Sequence, residues 1–368
     1  MKNIRIGVAT SGGDAPGMNA CIRAIVKASF SCGNINVIGI NDGVLGLLNN
    51  DMYELSPDNV RSIINQSGTI LGTSRMLQIQ TYLNRQIGEK DDSELNDKSL
   101  KLGLDLMKKN IGKNKLDGLI LIGGDDTCRA ANLLDQVFNK SFPICVIPAT
   151  IDNDIKGTDI TIGFDSAVSS ALYAIDLLRA TASSHKRVFI VEVMGRKHGY
   201  IGLDVGIASG AEEILIPEIY YEEKILQKMA RRLKNGFLAG RKCALVVVSE
   251  GVELNLLNIK TKSAAYGVAE YFNNEIRDWE IRVSVIGHIQ RGAIPTFFTR
   301  TLALEMGFLA LEKIINLVSS DHKKNSCMAL LVGKKGNRYF FRNIPNPPTK
   351  GRDIKLIERH KKFDFLSY

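Results

Sequence analysis

Residues 4–40, IRIGVATSGGDAPGMNACIRAIVKASFSCGNINVIGI, change their pattern three times. IRIGVAT is a β-branched apolar run, short enough for a strand buried on both faces. SGGDAPGMN is a glycine-rich loop. ACIRAIVKASF then places Ile22, Ile25, Val26 and Phe30 at helical spacing, and INVIGI returns to strand. Strand, loop, helix, strand is the unit that builds a parallel sheet with helices on its faces, so this stretch predicts an α/β fold.

The same alternation continues downstream. A helical stretch around 102–109 leads into LDGLILIGG, a loop, and a helix beginning near Thr127; PICVIPAT, KRVFIVEVMG, KCALVVVSEG and RVSVIGHIQRG are further short apolar runs. Each strand ends where glycine or polar residues start. Ligands in open parallel sheets sit beyond the carboxyl ends of the strands, so these loops form the candidate site as a group. Residues 84–101 are charged and expected to face solvent, and 343–352, NIPNPPTKGR, reads as a Pro-rich link to a short basic tail.

With 368 residues, 45% hydrophobic and 24% charged, the chain has the balance of a soluble globular protein of two lobes. No apolar run approaches the roughly 20 residues that span a bilayer. The start, MKNIRIGVATSGG, runs into the glycine loop with no signal-peptide pattern, so a cytoplasmic location without membrane attachment is expected. Six dispersed cysteines (Cys21, Cys32, Cys128, Cys145, Cys243, Cys327) form no CxxC pair and read as reduced, mostly buried thiols. The net charge of +9 suits small anionic substrates; with no zinc-finger, RNP-like or basic-zipper pattern, nucleic acid is not expected as a partner.

The loops differ in what they offer. SGGDAPGMN has phosphate-loop placement without the Lys-Ser/Thr of a Walker A loop, and taken alone it fits a tight strand–helix turn equally well. In PATIDNDIKGTD, Asp152 and Asp154 share a face with Thr150 if the segment is extended; they could handle a hydroxyl proton or a metal, or cap the following helix as Asx turns. Met194, Gly195 and Arg196, then Glu250, then Arg282, His288 and Arg291 fall at or near strand ends. Several arginines in such places point to a ligand with more than one phosphate.

Together these segments resemble the A-type 6-phosphofructokinase family, as distinct from the ribokinase-like one. The matching motifs are SGGDAPGMNA, GTILGTSR, IGGDDT, TIDNDIKGTDITIGFDSA, SSHKRVFIVEVMGR, SEG and GHIQRG, running from residue 5 to about 312. The resemblance implies two Rossmann-like lobes with mostly parallel sheets and the active site in the cleft between them. Residues 1–140 with about 255–305 would form a larger, phosphoryl-donor lobe. About 141–254 with about 306–342 would form a smaller, fructose 6-phosphate lobe, and 343–368 a Pro-rich basic tail. It implies Mg²⁺-dependent phosphoryl transfer to the 1-hydroxyl of fructose 6-phosphate, with Asp152 as base, Thr150 and Asp154 positioning the reacting groups, and Arg196 stabilising charge on the transferred group. Asp125 would hold the metal, and Gly13, Arg75, Gly124, Asp126 and Thr127 would line the donor site. Met194, Gly195, Glu250, His288 and Arg291 would bind the sugar phosphate. Arg187 and Arg282 match residues that reach in from a neighbouring subunit, which implies a homo-oligomer, a tetramer or dimer. A non-catalytic regulatory subunit would be expected to lose Asp152, Asp154 or Arg196, and all three are present.

Two positions bear on the donor. ATP-using members have Gly where this chain has Asp126, and members using pyrophosphate have Asp; a carboxylate facing a nucleotide's α-phosphate in a partly desolvated cleft repels it. Val44 replaces the aromatic that many ATP enzymes set against adenine. Ala149 points the other way, standing where pyrophosphate users have Lys. Since a repulsive element excludes a ligand more strongly than a missing cation weakens one, the sequence favours pyrophosphate, with ATP as the alternative.

Overall fold

β1 (Ile4–Ser11), α1 (Met18–Cys32) and β2 (Ile35–Ile40) form the first unit expected of residues 4–40, with Ile6 of β1 parallel to Val37 of β2. The computed structural model describes residues 3–88, 97–254, 263–277, 279–319, 328–345 and 353–363. Ile22, Ile25 and Val26 of α1 are buried as their spacing requires, but Phe30 is 69% exposed. Ser29 takes the inward place instead, its hydroxyl donating to the Val26 carbonyl at 2.9 Å.

α2 (Val44–Asn49) and β3 (Met52–Leu55) follow, then α3 (Met76–Ile87) and α4 (Asp97–Lys113). Of the charged stretch 84–101, residues 89–96 lie outside the described residues, and the rest ends α3 and begins α4. β4 (Gly118–Gly123), α5 (Asp125–Val137), β5 (Ile144–Thr150) and the two-residue β6 (Ile162–Gly163) complete this half. α6 (Phe164–His185) leads to β7 (Arg187–Val193), α7 (Tyr200–Ser209), β8 (Glu213–Leu215), α8 (Glu223–Leu238), β9 (Ala244–Ser249), α9 (Ala264–Glu275) and β10 (Glu280–Val285). A 3₁₀ turn at Gly287–Gln290 precedes α10 (Phe297–Ser319), β11 (Ala329–Lys335), β12 (Arg338–Asn343) and α11 (Ile354–Lys362).

The strands make two sheets. One has eight strands in the order β12-β11-β5-β4-β1-β2-β3, with β6 beside β5; it is parallel except where β3 and β12 close its edges antiparallel. The other has four parallel strands, β10-β7-β9-β8. Each sheet has its own apolar core. Leu119, Leu121, Val146 and Leu331 meet α4 and α5 in the first, and Val188, Val246, Leu233 and Phe272 meet α8 and α9 in the second.

The chain accordingly divides into a unit of 1–165 with 294–348 and a unit of 166–293 with 349–368. The expected boundaries differ from this for reasons of pairing. β5, expected in the smaller lobe, pairs with β4, Ile120 opposite Cys145. Residues 263–293, expected in the larger lobe, include β10, which pairs with β7. β11, expected in the smaller lobe, pairs with β5. The tail is not a separate element either, although 346–352 and 364–368 lie outside the described residues. α11 packs in the second unit, with Arg359 on Asp204 at 2.5 Å and the His360 ring Nε2 against the Ile214 carbonyl at 2.7 Å.

Among the described residues no helix is long and apolar enough to cross a membrane. Cys21, Cys128 and Cys145 are buried free thiols, Cys32 is an exposed one and Cys243 half-buried; Cys327 lies outside the described residues.

Candidate active site

In the first unit, four loops gather at the carboxyl ends of β1, β4 and β5. β1 runs into the glycine loop, and β4 pairs with it up to Ser11 opposite Gly123. Gly12 donates its N–H to the Ser74 carbonyl at 3.1 Å, and the Thr73 hydroxyl donates back to the Gly12 carbonyl at 2.9 Å. These bonds place Gly13 beside Arg75, which caps the N-terminus of α3. Thr127, fully buried, donates its hydroxyl to the Ser11 carbonyl at 3.1 Å and ties α5 to β1.

That last contact explains why Gly123 is glycine. A Cβ there would lie 2.2 Å from both the Ser11 carbonyl oxygen and Thr127 Oγ1. Gly123→Ala is expected to destabilise the fold by about 3 kcal/mol, since backbone is the obstructing atom and a buried hydrogen bond is lost. Urea unfolding of the variant against the parent measures this directly.

α5 starts at Asp125, two residues before the expected start, so both Asp125 and Asp126 lie in its first turn. A helix N-terminus favours negative charge. Asp126 is therefore not the isolated carboxylate that the sequence suggested; part of its charge is offset by its own helix. A Cβ on Gly124 would lie 3.5 Å from Thr150 Cβ, which brings the head of α5 against the end of β5. Cys128, one turn into α5, has its thiol pushed up to about 12, chiefly by burial and then by the charges of Asp125 and Asp154.

The TIDND segment is not extended beyond Thr150. Asp152 lies in a turn and Asn153 adopts the left-handed conformation at φ 53, so the two-residue alternation expected to align Thr150, Asp152 and Asp154 stops at the end of β5. Asp152 N–H donates to Thr150 Oγ1 at 3.2 Å.

An apolar pocket opens beside these loops. Val44, Ile79, Leu83, Leu104, Met107 and Ala130 line it, with Ser11, Ser74 and Asp126 at its polar side; its cavity volume is about 50 Å³. No sequence motif marked this pocket, because α3 and α4 contribute ordinary core-type residues to it.

For a metal, the test is whether the donors suit a hard cation. Among the described residues no three His, Cys, Asp or Glu side chains converge as a cage. Mg²⁺ needs none: it is held through one or two carboxylates together with substrate phosphates. Asp125, in the first turn of α5 at the end of β4, fits that pattern as a single carboxylate ligand.

In the second unit, the strand ends of β10, β7 and β9 are neighbours. Met194 is buried, its N–H donating to Gln290 Oε1 at 2.7 Å, while Gln290 Nε2 donates to the Ala167 carbonyl at 3.3 Å. Gln290, fully buried, thereby ties the 3₁₀ turn carrying His288 to the end of β7; the sequence reading passed over it. Gly195 sits at φ 129, where a Cβ would lie 2.7 Å from the His198 carbonyl. Glu250 N–H donates to the Val193 carbonyl at 2.9 Å and Gly251 N–H to the Gly195 carbonyl at 3.2 Å, so the two loops run side by side. Arg196, Glu250 and His288 are exposed, and Arg291 N–H donates to the His288 carbonyl at 3.0 Å. His288 is thus not a buried structural histidine.

Arg187 and Arg282 are elsewhere. Both pair with Glu280 near the amino ends of β7 and β10. Arg187 precedes Met194 by seven residues of strand, about 20 Å at ~3.3 Å per residue. Within one chain these two arginines do not join the Met194–Arg196 group.

The match to a family model described as phosphofructokinase covers residues 5–314. The chain belongs to the phosphofructokinase family. It is 39% identical over 359 residues to the ATP-dependent 6-phosphofructokinase of Persephonella marina, covering 96% of this chain and 98% of that one. Among solved structures, the phosphofructokinase of Saccharomyces cerevisiae matches with a TM-score of 0.78 and 27% identity over 99% of this chain and 48% of that one, about half its length. The fold is also shared with a pyrophosphate-dependent phosphofructokinase from Marinobacter aquaeolei, with a TM-score of 0.73 and 19% identity, covering 98% of this chain and 91% of that one. This phosphofructokinase is a phosphotransferase with an α/β fold of mostly parallel sheets, as the sequence led us to expect.

Proposed function

We propose that this protein is a Mg²⁺-dependent 6-phosphofructokinase that transfers the γ-phosphoryl group of ATP to the 1-hydroxyl of fructose 6-phosphate. The apolar pocket carries the choice of donor. It begins at Ser11, next to the glycine loop, and offers Ile79 and Met107 to a flat apolar base, with Val44 in place of the aromatic many ATP enzymes have there. Pyrophosphate has no part that such a pocket would hold. The Persephonella marina relative, named ATP-dependent, supports the same choice.

Asp152 takes the 1-hydroxyl proton as the oxygen attacks the γ-phosphorus and the bond to the β-phosphate breaks, releasing ADP. A positioned base of this kind contributes about 10²–10⁴ in rate. Thr150 and Asp154 position the reacting groups, and Arg196 meets charge on the transferred group. Gly13 with its loop, together with Arg75, Gly124 and Thr127, cradles the donor's phosphates. Asp125 would hold Mg²⁺, which would neutralise phosphate charge. Met194, Gly195, Glu250, His288 and Arg291 bind the sugar phosphate. Arg187 and Arg282, far along their strands from that group, fit residues that serve a second copy, which supports a homo-oligomer.

Asp126 favours a second reading, pyrophosphate as donor. Its placement in the first turn of α5 softens its repulsion of a nucleotide, and Ala149 leaves the expected cation missing. The regulatory-subunit reading has no comparable support, since Asp152, Asp154 and Arg196 are all in place.

Phosphorus NMR of the products tests the reaction itself. Incubation with Mg²⁺, ATP and fructose 6-phosphate is expected to yield fructose 1,6-bisphosphate and ADP. Phosphorylation at another hydroxyl, or release of inorganic phosphate alone, would overturn the assignment.

A further inference from the structure

Between the two aspartates assigned to chemistry stands Asn153, half-buried and in the left-handed conformation. Asparagine tolerates that conformation better than most residues because its short amide can bond locally. Here the amide bonds in two directions. Its Oδ1 accepts the Thr161 N–H at 2.9 Å, and its Nδ2 donates to the Asp159 carbonyl at 3.2 Å. Thr161, almost fully buried, donates its hydroxyl to the Thr150 carbonyl at 2.6 Å. The loop 150–161 is therefore closed on itself, with the Asn153 side chain as its internal strut and the β5–β6 pairing at its base.

The strut is also anchored outside the loop. Asp159 donates its N–H to the Lys334 carbonyl at 2.8 Å and accepts the Gly336 N–H on Oδ2 at 2.8 Å. Lys334 N–H donates to Thr158 Oγ1 at 3.1 Å. The turn between β11 and β12 thus supports the far side of the loop, and Asn153 passes that support to the peptides on either side of it. A left-handed residue breaks the alternation of a strand, so its dihedrals set the directions in which Asp152 and Asp154 leave the backbone.

We propose that Asn153 is a positioning residue for phosphoryl transfer, holding Asp152 and Asp154 in the reactive geometry through its amide's hydrogen bonds to Asp159 and Thr161. This rests on the assignment of Asp152 as base made above. A displacement of about 1 Å at reacting groups costs on the order of 10²-fold in rate. Asn153 reaches neither the donor loop nor the second unit's residues in any hydrogen bond described for it, so substrate binding is not expected to depend on it.

The test compares the full-length Asn153→Gly, Asn153→Asp and Asp152→Ser variants. Glycine keeps the left-handed backbone without strain and removes only the amide. Asn153→Gly is expected to lower kcat about 30-fold with KM for fructose 6-phosphate and for ATP within threefold, and with the thermal midpoint within a few degrees of the parent. Asn153→Asp keeps the acceptor for Thr161 N–H and loses the donor; it is expected to recover at least threefold over glycine. A kcat for Asn153→Gly within twofold of the parent, beside an inactive Asp152→Ser, overturns the positioning role alone. So does a loss that appears in KM rather than kcat, or an Asn153→Asp no better than glycine. An active Asp152→Ser overturns the base assignment, and this inference with it.

Discussion

Asp152→Ser is expected to lower kcat by about 10³-fold while leaving KM for fructose 6-phosphate within about threefold of the parent. General-base catalysis contributes about 10²–10⁴ in rate, and serine at this position has no group that takes a proton near neutral pH. Asp152 lies in a turn, and its backbone N–H, which donates to Thr150 Oγ1, is retained in the variant. Sugar binding is assigned to residues of the second unit, so the loss belongs in kcat. Steady-state kinetics with both substrates varied separates the two parameters. A kcat within tenfold of the parent would remove Asp152 from the role of base.

Asp126→Gly is expected to raise kcat/KM for ATP relative to pyrophosphate by about tenfold. The side chain lines the polar edge of the apolar pocket and brings a carboxylate to the place where a nucleotide's inner phosphates would pass. One charge repelling another across a partly solvated distance of several ångströms is worth on the order of 1–2 kcal/mol once the helix N-terminus has offset part of it, and 1.4 kcal/mol is a factor of ten. Glycine in the first turn of α5 costs at most about 1 kcal/mol of stability, too little to obscure the rates. A ratio of the two activities that stays put, or moves toward pyrophosphate, would mean that Asp126 does not discriminate between donors.

Much of the fold was legible because burial in a parallel sheet leaves a strong mark. β1, β4, β5, β7 and β9 are continuous apolar runs ending in glycine or polar residues, and the loops after them carry the residues proposed for the site. Strand order was not legible. Nothing in the residues of β5 says that it lies beside β4 in the first sheet; β5 and β11 were expected together in the smaller lobe, and the pairing of β5 with β4 carries both into the other unit. Phe30 shows a second limit: helical spacing identifies a face but not how far along the helix the core extends. Within the site, charged and glycine residues announced themselves, whereas Gln290 and Asn153 did not. Their work is done by neutral amides bonding to backbone, and any loop asparagine or glutamine looks the same until the chain is folded. The wall that α3 and α4 give the pocket was hidden for the opposite reason, since Ile79, Leu104 and Met107 are indistinguishable from core, although Val44 and Asp126 were marked.

That pocket changed the reading of the donor. From residue types alone, Asp126 outweighed Ala149 and pyrophosphate was favoured. With Asp126 in a helix first turn and an apolar cavity beside it, ATP fits more of the surroundings. Initial rates of the purified protein with Mg²⁺ and fructose 6-phosphate, with ATP or pyrophosphate supplied separately, decide the matter. The structure predicts kcat/KM for ATP at least tenfold above that for pyrophosphate; turnover with pyrophosphate and none with ATP would contradict it.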